Sequence, residues 1–241
     1  MDEDKTPFLS HLEELRKRLF IIFIAIGIGF GVSYSFAEEI LLFLKAPFSG
    51  DLVALAPTEA FLTILKVSIF AGVLLATPVI MYQIWKFVAP GLYDREKKHT
   101  VPFVIIATLL FFTGAIFCYF AILPYGLKFL QRFAPAAIDT NMFRLSDYVS
   151  FVIKLMLGFG AVFELPPIMV FLTSIGVVTP QYLSKNRKYA ILIMFVVGAF
   201  LTPPDVFTQL MMAAPLLILY EVSIIASRAV SKKKAAKETN E

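Results

Sequence analysis

Glu164 is the acid in this chain that stands deepest in apolar sequence. It lies in Gly158-Phe159-Gly160-Ala161-Val162-Phe163-Glu164-Leu165-Pro166-Pro167, within an apolar segment from about Tyr148 to Val178. A charge in hydrocarbon is costly, so ionisable residues there face a bundle interior or a wet cavity. Gly160 precedes Glu164 by one turn on the same helical face and leaves room beside it. Pro166 and Pro167 remove backbone hydrogen bonds and should bend the helix. Two readings follow. Glu164 faces a polar cavity where a transported or regulatory partner docks, or it is a protonated or hydrogen-bonded carboxyl that ties two helices together.

The other candidate acids lie among bases. In Ser10-His11-Leu12-Glu13-Glu14-Leu15-Arg16-Lys17-Arg18, a capping box of Ser10 with Glu13 accounts for Glu13. Glu14 has Arg18 at i+4, and Glu96 stands between Arg95 and Lys97-Lys98. Exposed pairs of this kind contribute only a few tenths of a kcal/mol, so a solvated ion pair explains either acid. A second polar group comprises Thr202, Asp205 and Gln209. Helix capping explains Thr202 and Asp205. Gln209 has no such role, and a lone polar residue there hydrogen-bonds a neighbouring transmembrane helix. Glu221 is expected to snorkel rather than bind.

Several chemistries are excluded. The chain has no GxxxxGK[ST] phosphate loop and no GxSxG nucleophile motif paired with an intramembrane histidine. A single cysteine, Cys118, excludes an intramolecular disulfide and a Cys/His zinc site. His11 and His99 lie outside the apolar runs. No metal, cofactor or enzymatic chemistry is expected.

The elements that position these residues are membrane helices. The chain is 59% hydrophobic and 17% charged, with mean hydropathy +0.79, outside the range of ordinary soluble domains. We expect an all-α membrane protein, a single polytopic domain of six transmembrane helices. The spans lie at about 19–37, 61–88, 101–123, 148–178, 189–201 and 205–226, with a solvated tail at 229–241. The first run follows Arg16-Lys17-Arg18 and imitates a signal peptide, but it is too long for a signal core and reads as a retained span. A helix is expected to start from Leu12, and Thr58 and Thr179 are candidate N-caps. Ile40–Leu44 and Leu127–Phe133, in the two long outer loops, suggest interfacial helices. Pro78 should kink the second span, and Trp85 fits an aromatic belt. The fifth and sixth helices read as short. Lysine and arginine clusters at 16–18, 95–98 and 185–188 and in the tail fall on one side of a six-span chain. That side is cytoplasmic, which places both termini inside. The net charge of +4 thus reports orientation rather than nucleic-acid binding.

The chain resembles the TatC family, the polytopic subunit of the twin-arginine protein translocase. The resemblance rests on the Ser10–Arg18 stretch, Ala46-Pro47, Tyr82–Tyr93, the Glu96 loop, Phe163-Glu164-Leu165-Pro166 and Leu201–Phe207. These motifs cover nearly the whole chain in the family's order. The resemblance implies a receptor for the paired arginines of signal peptides on folded cargo, with export driven by the proton-motive force across a bacterial inner membrane. It implies single-span TatA and TatB partners and a homo-oligomer within the complex. Family recognition residues fall on Glu14 and Glu96, with Arg16 and Phe87 close by. The intramembrane acid falls on Glu164, and the partner-helix site falls on Thr202 and Gln209. The alternative from another class is a proton-coupled secondary transporter of a small solute with Glu164 as proton carrier. A structural scaffold is a third reading.

Overall fold

The computed structural model describes residues 5–88, 100–132, 142–201 and 206–238. They fall into two compact units. One comprises Met1–Ala46 with Ala54–Thr108, the other Pro47–Val53 with Leu109–Glu241.

In the first unit, α1 spans Lys5–Tyr34. It starts before the Ser10–Glu13 box, which is therefore interior to the helix and caps nothing. Pro7 sits in the first turn, where its missing N–H would have had no partner anyway, so nothing delays the helix until Leu12. Phe20, Phe23, Ile24, Ile28 and Val32 are exposed, as a lipid-facing surface requires, whereas Ser33 is buried. A short α2 (Ala37–Lys45) leaves α1 at 84°. The long α3 runs over Pro57–Val88 with Pro78 inside it. Pro57 opens α3, so Thr58 lies inside the helix and is not its N-cap, and the Glu59 carboxylate reaches back to accept from the Leu55 N–H at 3.1 Å. Thr63, Ser68 and Thr77 donate to the carbonyls of Glu59, Ile64 and Val73, which lets hydroxyls sit inside an apolar helix. The backbones of α1 and α3 meet at a pair of glycines. A Cβ placed on Gly29 would lie 2.6 Å from the Gly72 carbonyl oxygen. Trp85 is buried against Phe103, with ring centroids 5.4 Å apart, and does not join a lipid-exposed belt.

The helix that starts at Thr100, α4 (Thr100–Phe117), runs through a π-helical turn at Cys118–Ile122 into α5 (Leu123–Arg132). The expected end near Leu123, followed by a separate interfacial helix, is corrected. Pro124 stands just after the π-helical turn, whose wider winding takes up the hydrogen bond that the proline cannot donate, so the helix carries on.

In the second unit, β1 (Asp51–Val53) and β2 (Met142–Arg144) pair in parallel, with Leu52 opposite Phe143. Phe48 packs edge-on against Phe143 at 5.0 Å and against Tyr148 at 5.4 Å. The apolar segment around Glu164 forms α6 (Leu145–Val162) and α7 (Leu165–Ser174). Thr179 caps α8 (Pro180–Lys185) as expected, accepting from the Tyr182 N–H at 3.2 Å. Then come α9 (Arg187–Leu201) and α10 (Val206–Glu238). The short sixth helix is corrected: α10 has 33 residues and continues into the basic tail. Four helical segments among the described residues are long and apolar enough to cross a membrane, and the bent α1–α2 pair raises this to five. The fifth helix is short, as expected, with 15 residues.

Candidate functional site

The N-terminal acid is built on one face of α1. Residues three and four apart on a helix are neighbours, so His11, Glu14 and Arg18 share a face. Arg18 is buried, and a buried guanidinium needs a counter-charge and acceptors. Glu14 supplies the charge, its Oε1 accepting from Arg18 Nη2. The Gln83 carbonyl of α3 accepts from Arg18 Nη1 at 3.4 Å. Phe87 completes the group: its ring stacks on His11 at 4.4 Å and lies 6.0 Å from the Arg18 guanidinium carbon.

The Glu14 side chain keeps 39% of its accessibility, and its Oε2 lies 4.0 Å from His11 Nδ1, beyond hydrogen-bond reach. The hydrogen bond from Arg18 holds the Glu14 carboxyl below its ordinary value, against a smaller opposing effect of desolvation. Glu14 is thus positioned by a cation while its side chain stays partly exposed. Arg16, two residues on, points about 200° around the helix from Glu14 and is exposed apart from this group. Glu96 lies outside the described residues. Arg18 is the i+4 partner expected for Glu14, whereas His11 is a member of this group that sequence reasoning did not assign. Its i−3 spacing from Glu14 was the available signal.

Glu164 sits at the break between α6 and α7, where its backbone N–H donates to the Ala161 carbonyl at 3.2 Å. The side chain is 6% exposed, and its Oε1 is buried without a hydrogen-bond partner among the described residues. The space at Gly160 is not a polar cavity, because the Phe111 ring fills it. A Cβ on Gly160 would meet that ring at 2.8 Å. Nor does Glu164 line the apolar groove of about 420 Å³ formed by residues such as Ala161, Leu165, Met194 and Leu216.

Gln209 already has a partner within the chain, since its Nε2 donates to the Phe195 carbonyl of α9 at 3.0 Å. Thr202 lies outside the described residues. Glu221 does not snorkel freely: Arg187 holds it through a fork, Nε to Oε1 at 2.6 Å and Nη2 to Oε2 at 3.0 Å. Among the described residues no group of three or more His, Cys, Asp or Glu side chains could hold a metal.

Residues 10–215 match the family model described as Sec-independent protein translocase protein (TatC). A TatC from Desulforapulum autotrophicum is 46% identical over 98% of this chain and 90% of its own length. One from Aquifex aeolicus is 42% identical over 95% and 97%. The fold is similar to a crystal structure of the twin-arginine translocase receptor TatC, with TM-score 0.82 and 42% identity over 92% of this chain and 99% of that one.

Proposed function

The chain belongs to the TatC family of Sec-independent protein translocase proteins, and from that premise we propose that it is the signal-peptide receptor and core subunit of a twin-arginine translocase. The observation that carries this reading is the partly exposed Glu14 carboxylate, held on α1 by buried Arg18 through one oxygen, with its second oxygen 4.0 Å from His11 and outside hydrogen-bond reach. A guanidinium from a signal peptide brings parallel N–H donors that match such a carboxylate. Glu96 supplies the second acceptor and Phe87 an aromatic surface beside the first. Arg18 fixes the geometry, so the site loses little rotamer freedom on binding.

In this reading the chain crosses a bacterial inner membrane six times with both termini cytoplasmic, and α2 lies at the outer interface. Export is powered by the proton-motive force. TatA and TatB dock their single helices near Thr202 and Gln209, and several copies assemble. Gln209 offers a partner its Oε1 while its amide stays on Phe195. Gln209→Leu should therefore weaken co-purification of TatB, and unchanged recovery would remove this part of the proposal. The family gives no support to the solute-transporter alternative.

The main test is photo-cross-linking from positions 14 and 96 to a signal peptide carrying Arg-Arg or Lys-Lys. Cross-links should form with the first peptide and fall with the second. In a separate arm, the Glu14→Gln/Glu96→Gln variant, probed from neighbouring positions, should lose the cross-link. Full cross-linking in that variant overturns the assignment.

A further inference from the structure

Where α8 meets the far end of α10, the second unit holds a cavity of about 520 Å³ whose lining includes Gln181, Ser184, Lys185, Arg228, Ser231 and Lys232. Three of these side chains are basic and none is acidic. Arg228 and Lys232 are one turn apart on the same face of α10, so their charges converge rather than disperse. Like charges brought together in this way need an anion. Glu221, an acid that acts on Arg228, has its carboxylate already taken up by Arg187 through both oxygens. Arg187 also donates to the Ser184 carbonyl at 3.3 Å, which ties this ion pair to a lining residue without bringing net negative charge. Arg228 is oriented, with its Nη2 donating to Ser184 Oγ at 2.8 Å.

We propose that this cavity binds the phosphate of an anionic membrane lipid. Depth selects the lipid over a soluble anion. The apolar run of α10 ends near Ala226. At about 1.5 Å per residue, Arg228 lies about 3 Å and Lys232 about 9 Å past that point. The headgroup layer on each face of a bilayer is about 5–8 Å thick, so the basic side chains reach the level of the lipid phosphates. Basic pockets between transmembrane helices bind anionic headgroups for this reason. The Arg228 fork meets phosphate oxygens in plane, Lys185 and Lys232 add point charges, and Ser231 and Gln181 offer neutral hydrogen bonds. This inference rests only on the chain's membrane insertion, so it can fail without touching the signal-peptide site.

The test uses the full-length protein, delipidated in neutral detergent and titrated with phosphatidylglycerol or phosphatidylcholine under native mass spectrometry. The wild type should retain phosphatidylglycerol in preference. Each basic residue contributes roughly five-fold to the affinity, so Arg228→Gln/Lys232→Gln should lower it about 25-fold and Lys185→Gln alone about five-fold. The equally charge-depleted control Lys128→Gln/Arg132→Gln, on α5, should leave it within about two-fold. Unchanged affinity in the cavity variants, or an equal loss in the control, overturns the proposal. Displacement of the lipid by millimolar inorganic phosphate would assign the cavity to a soluble anion and overturn it as well.

Discussion

A carboxylate at the edge of a membrane can serve its own helix or wait for a ligand, and in the proposed reading Glu14 does both. Arg18 takes one oxygen, and that contact has a consequence in pH. A carboxyl whose folded value is depressed contributes stability that is present above the unfolded value and lost as pH falls through the folded one. Glu14 therefore stays charged below its ordinary 4.5. Capture of an Arg-Arg peptide should persist into that range, and Arg18→Gln should move its acid limb to higher pH. Peptide binding measured against pH checks this, and coincident profiles would refute a positioning role for Arg18. Glu164 poses the opposite case. Its Oε1 is buried without a partner among the described residues, so neutralising it breaks no hydrogen bond of that oxygen. Glu164→Gln should change the unfolding midpoint by less than about 2–4 °C, the equivalent of 1 kcal/mol in a chain of this size. It should nonetheless impair export of a folded cargo. Normal export in that variant would return Glu164 to the role of a helix tie.

At the scale of elements, the contact of α1 with α3 is the sharpest constraint in the first unit. Without a hydrophobic drive between helices in lipid, close packing at small residues holds such pairs together. A Cβ at Gly29 or Gly72 would fall 2.6 Å from backbone of the other helix, which no rotamer can relieve. Gly29→Ala and Gly72→Ala should each cost about 1–3 kcal/mol by overpacking. Gly27→Ala and Gly31→Ala meet nothing within 4 Å and should be neutral or stabilising. Thermal unfolding in detergent separates the pairs, and equal effects at all four positions would discard the packing argument. What the sequence disclosed about these elements follows range. The Thr179 cap and the break at Glu164-Leu165-Pro166 are encoded within a turn, and both were legible. Arg18 is buried because it meets a carbonyl 65 residues away. Arg187 finds Glu221 34 residues on, and Phe111 fills the space at Gly160 from another helix. No local pattern announces such pairings. The parallel β1–β2 pair has three residues in each strand, too short for any alternation to show. It nevertheless joins the two long loops that sequence reading treated as independent.

For the whole molecule, the open question is how often the chain crosses the bilayer, and α9 decides it. Its 15 residues reach about 22 Å at about 1.5 Å each, short of a hydrocarbon core of about 30 Å. Yet α9 and α10 run antiparallel as a hairpin. Arg187 at the start of α9 grips Glu221 of α10, and Phe195 further along accepts from Gln209. The basic segment at 185–188 and the basic end of α10 are therefore at the same end of the hairpin, in keeping with a single cytoplasmic face. A short helix can still cross where the bilayer thins beside it. Reporter fusions at residue 204 and at residue 241 read this directly. A six-span chain with both termini inside should expose the first on the outer side of the membrane and keep the second in the cytoplasm. If position 204 stays shielded while 241 remains inside, α9 does not cross on its own and the hairpin is re-entrant. If 241 is found outside, the two termini are not both on the cytoplasmic side, and a third fusion at the N-terminus separates an odd number of crossings from a reversed chain; only the reversed chain takes Glu14 away from the compartment in which signal peptides are made.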